Sequence, residues 1–504
     1  MKKQDFKVVV IGGCGTVGSL MARVLKDNGA DVTVSDLSTD SPQVNVLKEE
    51  GIKLNLGEHD ENILKNVDTV VVAPSLLKNS KLIGKIKSIT DADIISADEV
   101  LTTCKVGKPV VGITGTNGKT TTTWMLKNIL NIGGYKTPEH KLKMQGNTEL
   151  IPSFQARLDG DIAVLEIGTH GNPNEIKNCA IKSKVNIGII TNISKDHLSG
   201  SHNFQDYIDC KREIVGVANC LVFNADDPVV AGFSNDTSHK ILFYGIEDLN
   251  FEIEAYPEVR TCPVCGKELE YSIHYLGHLG VYKCSCGFKR REPDVKAFDV
   301  KNNSFKLVIG SNEAKIKLKQ AGIHNVYNAL AAASGASALG VDFNDIVNGI
   351  ETFEGVKGRF QKVDIGKKLI IDYAHNPAGV KAIIQTLIRE KPDTSRLIVV
   401  NTVSSESGIN GDIEIAKILK DADVIIVASN ASRKASSEIN VNNHVIFTES
   451  SKKGSKMGTL GASKAQVEES LNLAINEATK EDIILIIGEG GVKYSTQILG
   501  KFKN

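Results

Sequence analysis

The segment GITGTNGKT, residues 112–120, limits the possible folds more than any other part of the sequence. It stands between an apolar run ending in PVV and the run TTTWMLKNIL, which has helical spacing. Glycines let a backbone approach a ligand closely, and the next helix presents free N–H groups to an anion. Lys119 supplies a charge for phosphates and Thr120 a hydroxyl for Mg²⁺. The segment therefore predicts a nucleotide phosphate loop, with an ordinary glycine-rich turn as the alternative.

The loop is a variant of the strict Walker A pattern, because Gly112 lies one residue too far from Gly118. Around it, buried strand runs alternate with helical runs in three blocks. This alternation predicts an α/β protein of three domains. We expect a Rossmann-like domain over 1–105, a P-loop ATPase-like domain over 106–355 and a second Rossmann-like domain over 356–504.

Composition excludes several classes of protein. The chain has 60 basic and 60 acidic residues, so it lacks the overall positive charge typical of nucleic-acid-binding proteins. No apolar run is long enough for a membrane span. The apolar run near the N-terminus breaks at once into glycines, which argues against a secretory signal peptide. The nine cysteines are an odd number with one tight cluster, which favours reduced thiols and a cytoplasmic protein.

The cysteine cluster lies in an insert of about 256–295 that has no helical period. Its pattern is C-x2-C followed by C-x-C, close to a zinc ribbon, and four free thiols are the alternative. Because the second pair is one residue short, His274 and His278 are possible substitute ligands. We expect a structural Zn²⁺ without a catalytic role, held by Cys262, Cys265, Cys284 and Cys286.

The first domain carries its own glycine-rich turn, with G-x-G-x-x-G at Gly13, Gly15 and Gly18. Asp36 follows about twenty residues later. By itself this pattern indicates dinucleotide binding, so an NAD-binding redox or sensor protein is one hypothesis.

Seven stretches in the same order resemble the Mur ligase family of ATP-dependent amide-forming ligases. The first is GTNGKTTT, which is similar to the family's ATP-binding loop. The others are LEIGTHG, TNISKDHL, YIDCKREIV, HNVYNALAA, GRFQKV and IDYAHNP. One such match is weak, but the ordered set covers nearly the whole chain outside the cysteine insert.

The resemblance implies roles for individual residues. The implied catalytic residues are Lys119, Glu166, His197 and Lys211. The implied ATP-binding residues are Gly115, Thr116, Asn117, Gly118, Lys119, Thr120, Thr121, His324, Asn325, Asn328, Arg359 and Asp372. Two Mg²⁺ ions are implied at Thr120, Glu166, His197 and a carbamylated Lys211, and substrate contacts at His375 and Asn376.

The N-terminal domain resembles that of the glutamate-adding Mur ligases, whose glycine loop holds a UDP-linked precursor. This implies a UDP-precursor site at Gly13, Cys14, Gly15, Thr16, Val17, Gly18, Asp36 and Ser75. The cysteine insert resembles that of MurT, an amidotransferase subunit that receives ammonia from a glutaminase partner. An N-terminal domain of this kind, combined with a MurT-like cysteine insert, resembles the pseudomurein peptide ligases of methanogenic archaea. We therefore expect a ligase that joins an amino acid to a UDP-linked peptide, with the ammonia-using subunit as an alternative.

Overall fold

The structure is a computed structural model that describes residues 6–58, 60–138, 146–148, 150–196, 203–251, 259–438, 444–450 and 461–500. Within these ranges the strands form sheets of five, eight, two and six strands. None of the helices found there is long and apolar enough to cross a membrane. The described residues also form short 3-10 helices at Glu61–Leu64, Glu213–Gly216, Phe233–Asp236 and Leu419–Asp421.

The density of internal contacts divides the chain into two compact units. One comprises Met1–Thr114, Gly134–Ile189 and Arg212–Leu221, and the other comprises Gly115–Gly133, Ile190–Lys211 and Val222–Asn504. The first unit contains the five-stranded sheet. The second contains the predicted phosphate loop, the cysteine insert and the six-stranded sheet.

The N-terminal region is a parallel sheet flanked by helices. Its elements are β1 (Lys7–Ile11), α1 (Thr16–Asp27), β2 (Asp31–Asp36), α2 (Pro42–Glu49), β3 (Lys53–Leu56), β4 (Thr69–Val72), α3 (Ser80–Ile89), β5 (Asp93–Ile95) and α4 (Ala97–Thr103). The strand order is β3-β2-β1-β4-β5. The apolar run KVVVI forms the buried β1, and the glycine turn leads from it into α1. The strand order reverses between β1 and β4, the position where such sheets bind ligands.

The middle region carries the eight-stranded sheet. Its elements are β6 (Val110–Thr114), α5 (Lys119–Ile132), α6 (Leu150–Gln155), β7 (Ala163–Glu166), α7 (Glu175–Ser183), β8 (Ile187–Ile190), α8 (Phe204–Arg212), β9 (Cys220–Asn224), α9 (Pro228–Gly232), β10 (Lys240–Ile246), β11 (Glu270–Leu276), β12 (Leu279–Lys283), β13 (Val295–Phe298), β14 (Ser304–Ile309), β15 (Asn312–Lys317), α10 (Ile323–Ala338) and α11 (Phe343–Thr352). The strand order is β15-β14-β13-β10-β9-β8-β6-β7. The cysteine insert contributes a separate antiparallel hairpin, β11–β12.

The C-terminal region is a third sheet, in the order β16-β17-β21-β18-β19-β20. Its elements are β16 (Gln361–Asp364), β17 (Lys368–Asp372), α12 (Pro377–Glu390), β18 (Leu397–Asn401), α13 (Gly408–Ile418), β19 (Val424–Val427), α14 (Asn430–Glu438), β20 (His444–Phe447), α15 (Lys464–Glu477), β21 (Ile483–Ile487) and α16 (Glu489–Leu499). The edge strand β16 is antiparallel to β17, and the other pairs are parallel. The carboxyl ends of parallel strands lie at the same edge of a sheet, so the segments that follow β17, β18 and β21 lie close together there.

Candidate functional site

The phosphate loop, residues 115–118, connects β6 to the first turn of α5. Two of its glycines adopt positive φ, 133° at Gly115 and 85° at Gly118. A Cβ at Gly115 would lie 2.1 Å from Thr191 Oγ1, and one at Gly118 would lie 2.2 Å from Asn328 Oδ1. Both backbone conformation and space therefore require glycine at these positions. The result is a backbone cradle at a helix N-terminus, which suits a phosphate chain.

A clamp segment, residues 191–194, holds the loop in place directly after β8. Thr116 N donates to Asn192 O at 2.8 Å, and Ser194 N donates to Thr116 Oγ1 at 3.0 Å. The carbonyl of Asn117 accepts from Thr191 Oγ1 at 2.7 Å and from Asn192 Nδ2 at 2.9 Å. Residues 191–194 begin the TNISKDHL stretch, whose implied role is metal binding through His197, and the sequence gives no sign of their contact with the loop.

Lys119 is the first residue of α5, and its side chain folds back over the loop. Its Nζ donates to the carbonyl oxygens of Gly115 at 3.0 Å and Thr116 at 2.8 Å. Thr121, two residues further along α5, is buried. The ammonium of Lys119 therefore lies at the mouth of the cradle, where it can compensate phosphate charge.

Arg359 lies beside the phosphate loop, with one guanidinium N–H donating to Thr120 Oγ1 at 3.4 Å. Its guanidinium carbon lies 4.2 Å from the centre of the Tyr373 ring. At the end of β17, Asp372 accepts a hydrogen bond from Phe360 N at 2.7 Å. Burial raises the pKa of Asp372, and the charge of Arg359 opposes this rise. The predicted residues Thr120, Arg359 and Asp372 thus lie in one neighbourhood.

The loop after β17 reaches the phosphate loop through Asn376. Its Nδ2 donates to Asp196 Oδ2 at 2.9 Å and to Asn117 Oδ1 at 3.1 Å. His375 Nε2 lies 3.6 Å from Asp196 Oδ2, and a Glu406 carboxylate oxygen completes a cluster within 4.8 Å. Burial lowers the pKa of His375, but Asp196 and Glu406 outweigh it, so the pKa is raised overall.

Neither Asp196 nor Glu406 was among the predicted site residues. Asp196 lies inside the quoted TNISKDHL stretch, so a signal for it was present. Glu406 lies in the loop between β18 and α13. Asp196 follows β8 and Glu406 follows β18, strands of two different sheets, so only tertiary packing brings the two residues together.

Three of the implied ATP-binding residues, His324, Asn325 and Asn328, lie in the first two turns of α10. Asn325 Nδ2 donates to Ala321 O at 2.8 Å, and Asn328 Nδ2 donates to Asn325 Oδ1 at 3.2 Å. His324 is packed inside, and within the described ranges its buried Nδ1 has no hydrogen-bond partner. Burial, aided by the charge of Arg389, lowers the pKa of His324 to about 4, so the ring is neutral at pH 7. A buried, unpaired ring nitrogen is a group that a bound ligand could satisfy.

Two of the expected metal-side residues are Glu166 and His197. Glu166 is the last residue of β7, and its Oε1 accepts from Asn147 Nδ2 at 2.6 Å. His197 lies outside the described residues. The carboxylate of Glu166 is an oxygen ligand of the kind that Mg²⁺ prefers.

Lys211, the third expected metal-side residue, lies near the end of α8. Its side chain is buried, with 1% exposure. Nζ lies 4.9 Å from the centre of the Tyr207 ring, and Tyr207 Oη donates to Thr116 Oγ1 at 3.2 Å. A buried lysine this close to the phosphate loop fits the expected role.

The glycine loop of the first unit follows β1, and Asp36 ends the neighbouring β2. Asp36 Oδ2 accepts from Cys14 N at 2.8 Å, and Oδ1 accepts from Ser38 N at 2.9 Å. Asp36 therefore fixes the glycine loop directly. Ser75 is exposed just after β4, the other neighbour of β1. All the predicted precursor-binding residues thus lie at the carboxyl ends of three adjacent strands.

The four cysteines of the insert converge at one point. The Sγ atoms of Cys262 and Cys286 are 3.7 Å apart, those of Cys265 and Cys284 are 3.5 Å apart, and all four lie within 4.8 Å. Thiolates around a tetrahedral Zn²⁺ are about 3.8 Å apart, whereas disulfide sulfurs are about 2 Å apart. The geometry fits a four-cysteine zinc site. His278 instead faces Asp227, with Nε2 3.2 Å from Oδ2.

Protein-family models match three parts of the chain. The Mur ligase MurD-like N-terminal domain matches residues 7–94, the Mur ligase middle domain matches 113–288, and the Mur ligase glutamate ligase domain matches 358–490. A solved pseudomurein peptide ligase type C from Methanothermus fervidus is 55% identical, with a TM-score of 0.90 over 99% of this chain and 100% of that chain.

Two further relatives are bacterial. UDP-N-acetylmuramate–L-alanine ligase of Caldicellulosiruptor bescii is 28% identical over 98% of each chain. The MurT subunit of lipid II isoglutaminyl synthase from Staphylococcus aureus is 30% identical over 60% of this chain and 69% of that protein. The fold, the phosphate loop and these matches define an ATP-dependent ligase that forms amide bonds in cell-wall synthesis. The chain belongs to the Mur ligase family. The predicted three-domain α/β fold and the predicted family are thereby confirmed.

Proposed function

We propose that this ligase adds an amino acid to a UDP-linked peptide precursor of pseudomurein in the cytoplasm. The observation that carries the proposal is the full-length similarity to the pseudomurein peptide ligase of Methanothermus fervidus, at 55% identity. The phosphate loop, the buried Lys211 and the linked Asn376 and Asp196 support an intact catalytic centre.

The proposed reaction has two steps. A carboxylate oxygen of the precursor attacks the γ-phosphorus of ATP, and ADP leaves. The amine nitrogen then attacks the acyl phosphate, phosphate leaves with the carbon–oxygen bond electrons, and the nitrogen loses a proton. Mg²⁺ bound with ATP supplies charge neutralisation between the two anions.

This chain's own residues bind and orient the reactants. The glycine cradle and Lys119 hold the phosphates, and Thr120, Glu166, His197 and a carbamylated Lys211 would provide oxygen and nitrogen ligands for two Mg²⁺ ions. Arg359 and Asp372 orient the nucleotide, with His324, Asn325 and Asn328 on its base side. The glycine loop after β1, with Asp36 and Ser75, holds the UDP group.

We place the incoming amine next to His375. A cavity there is lined by Tyr373, His375, Ser404, Glu406, Gly461 and Glu489. Its glutamates attract an ammonium group, and Asn376 links the cavity wall to the phosphate loop at Asn117. An amine in this cavity would therefore be close to the phosphate that it must displace.

The four-cysteine cluster supplies a closed set of thiolates, so we assign it a structural Zn²⁺ and no catalytic step. Its module has few apolar residues, and the metal would provide the stability that they do not.

The test is release of phosphate from ATP and Mg²⁺ with UDP-linked glutamyl peptides and a panel of single amino acids, with products identified by mass. Phosphate release tied to one amino acid, with the matching mass gain, is expected. Lys119→Ala should abolish turnover, because the cradle loses its cation, while the exposed Lys105→Ala should not. Full turnover by Lys119→Ala would contradict the role of the loop.

The second candidate is an amidotransferase subunit that uses ammonia. The specific observation is the similarity to MurT, a subunit of a glutamine-hydrolysing synthase. Turnover with ammonium but with none of the amino acids, together with co-purification of a glutaminase, would favour it. An NAD-binding redox protein would instead show tight NAD binding without ATP turnover.

A further inference from the structure

The hairpin of the cysteine insert is hydrogen-bonded to the loop that follows β9. The contacts join residues 278–282 of the hairpin to residues 225–227. They are Tyr282 Oη to Ala225 O at 2.9 Å, Gly280 N to Asp226 O at 2.9 Å, and His278 Nε2 with Asp227 Oδ2 at 3.2 Å. The hairpin is therefore fixed along its turn and second strand, and it is attached at a buried carboxylate.

Asp227 connects the hairpin to the clamp segment. Its carboxylate is fully buried, and the His278 side chain is 5% exposed. Oδ1 caps α9 by accepting from Val229 N and Val230 N at 2.9 and 3.2 Å. Oδ2, the atom that faces His278, also accepts from Ile193 N at 2.8 Å. A buried carboxylate needs all its partners, so a shift of His278 would disturb Ile193.

Ile193 is the centre of the clamp segment that holds the phosphate loop. On either side of it, Asn192 binds the loop backbone and Ser194 N donates to the Thr116 hydroxyl, as described above. A continuous chain of hydrogen bonds thus runs from the hairpin through Asp227 and residues 191–194 to residues 116–117. Such a chain can carry coupling energy between two sites.

The hairpin itself has little independent stability. Its core consists of a few side chains around the cysteines, among them Leu269, Tyr282 and Phe288. A two-stranded hairpin is marginal in water, and a structural metal typically supplies the missing stability. The cysteines flank the open end of the hairpin, whereas His278 lies in its turn. Tyr282 packs among the cysteines and donates to Ala225 O, so loss of the metal would loosen the second strand from the loop that carries Asp227.

We propose that the cysteine site and the ATP site are energetically coupled, with His278 and Asp227 as positioning residues for the phosphate loop. The coupling rests on the proposed function in one respect, since it needs ATP to bind at that loop. Linkage is reciprocal, so zinc should strengthen ATP binding and ATP should strengthen zinc retention by the same factor. We expect a factor of roughly five to fifty.

The first test uses the unmodified zinc-loaded protein. Zinc release to a chromogenic chelator is followed with and without a saturating non-hydrolysable ATP analogue and Mg²⁺. Slower release and tighter zinc binding with the analogue are expected. An unchanged zinc affinity, with the analogue bound, would overturn the coupling and leave the proposed ligase intact. Failure of the protein to bind the analogue at all would overturn both.

The second test compares His278→Leu with His278→Gln. Glutamine retains an N–H donor for Asp227, whereas leucine does not. We expect His278→Leu to raise the KM for ATP at least fivefold at unchanged KM for the precursor, and His278→Gln to restore it. Lys283→Ala, exposed on the same hairpin, is the matched control. Equal KM values for ATP in all three variants would contradict the positioning role. If His278→Leu does not fold, the zinc-release measurement on the unmodified protein decides whether the two sites are coupled.

Discussion

Gly118→Ala tests the claim that the phosphate loop requires glycine for reasons of space as well as backbone conformation. Gly118 has φ of 85°, where an alanine costs about 1 kcal/mol. The added Cβ would lie 2.2 Å from Asn328 Oδ1. The amide of Asn328 would therefore have to withdraw by roughly 1 Å in a packed interior.

Asn328 cannot withdraw without losing contacts. It donates to Asn325 Oδ1 at 3.2 Å and accepts from Thr122 Oγ1 at 3.4 Å. Each of these hydrogen bonds contributes about 0.5–1.5 kcal/mol. Together with the backbone term, Gly118→Ala should destabilise the native loop by about 2–4 kcal/mol.

The matched control is Gly134→Ala, just beyond the other end of α5. Gly134 has φ of 82°, but a Cβ there would meet nothing within 4 Å. This variant should lose only the backbone term, about 1 kcal/mol. The comparison therefore isolates the contact with Asn328.

The assay is calorimetric titration of each variant with a non-hydrolysable ATP analogue and Mg²⁺, beside urea unfolding. Gly118→Ala should bind the analogue roughly thirty- to a hundredfold more weakly, which corresponds to about 2–3 kcal/mol. Gly134→Ala should bind it as tightly as the unmodified protein. Equal binding by both variants would refute the argument that the Asn328 side chain supports the loop.

Two further predictions concern metal content and pH. Cys262→Ser should lower the zinc content and the free energy of unfolding, because one of four convergent thiolates is lost. The control Cys220→Ser, at a half-buried cysteine outside the cluster, should change neither. Full zinc content in Cys262→Ser by elemental analysis would contradict the four-cysteine site. Burial raises the pKa of Asp412 to about 6, although Ser405 N donates to it. The folded state therefore binds more protons than the unfolded state between about pH 4 and 6, so stability falls as pH rises through that window. Asp412→Asn should remove this loss, so in urea unfolding at pH 7 the variant should be up to about 3 kcal/mol more stable than the unmodified protein. A stability difference between the two proteins that does not change with pH would contradict the burial of the charge.

Much of the catalytic centre was predictable because its residues are contiguous in sequence. A strand, a glycine turn, Lys119 and a helix follow one another, and local backbone geometry suffices to form the cradle. The strand and helix pattern likewise predicted three α/β regions. The cysteine spacing predicted a compact cluster, because each pair lies on one turn.

Residues that act through long-range contacts were not predictable in this way. The sequence indicates only an ordinary helix cap at Asp227, yet its carboxylate joins the hairpin to the clamp segment. Glu406 reads as a loop residue, yet it approaches His375 and Asp196. Lys211 reads as a surface residue on a polar helix, yet its side chain is buried.

The sequence alone determined the local elements: where strands end, where glycines permit positive φ, and which side chains follow each strand. Only the tertiary structure decided which strand ends meet, and therefore which side chains distant in sequence form hydrogen bonds to the same carboxylate. The physical reason is that turn and helix geometry depends on neighbouring residues, whereas a hydrogen bond between Asn376 and Asp196 forms only once the strands that carry them have packed together.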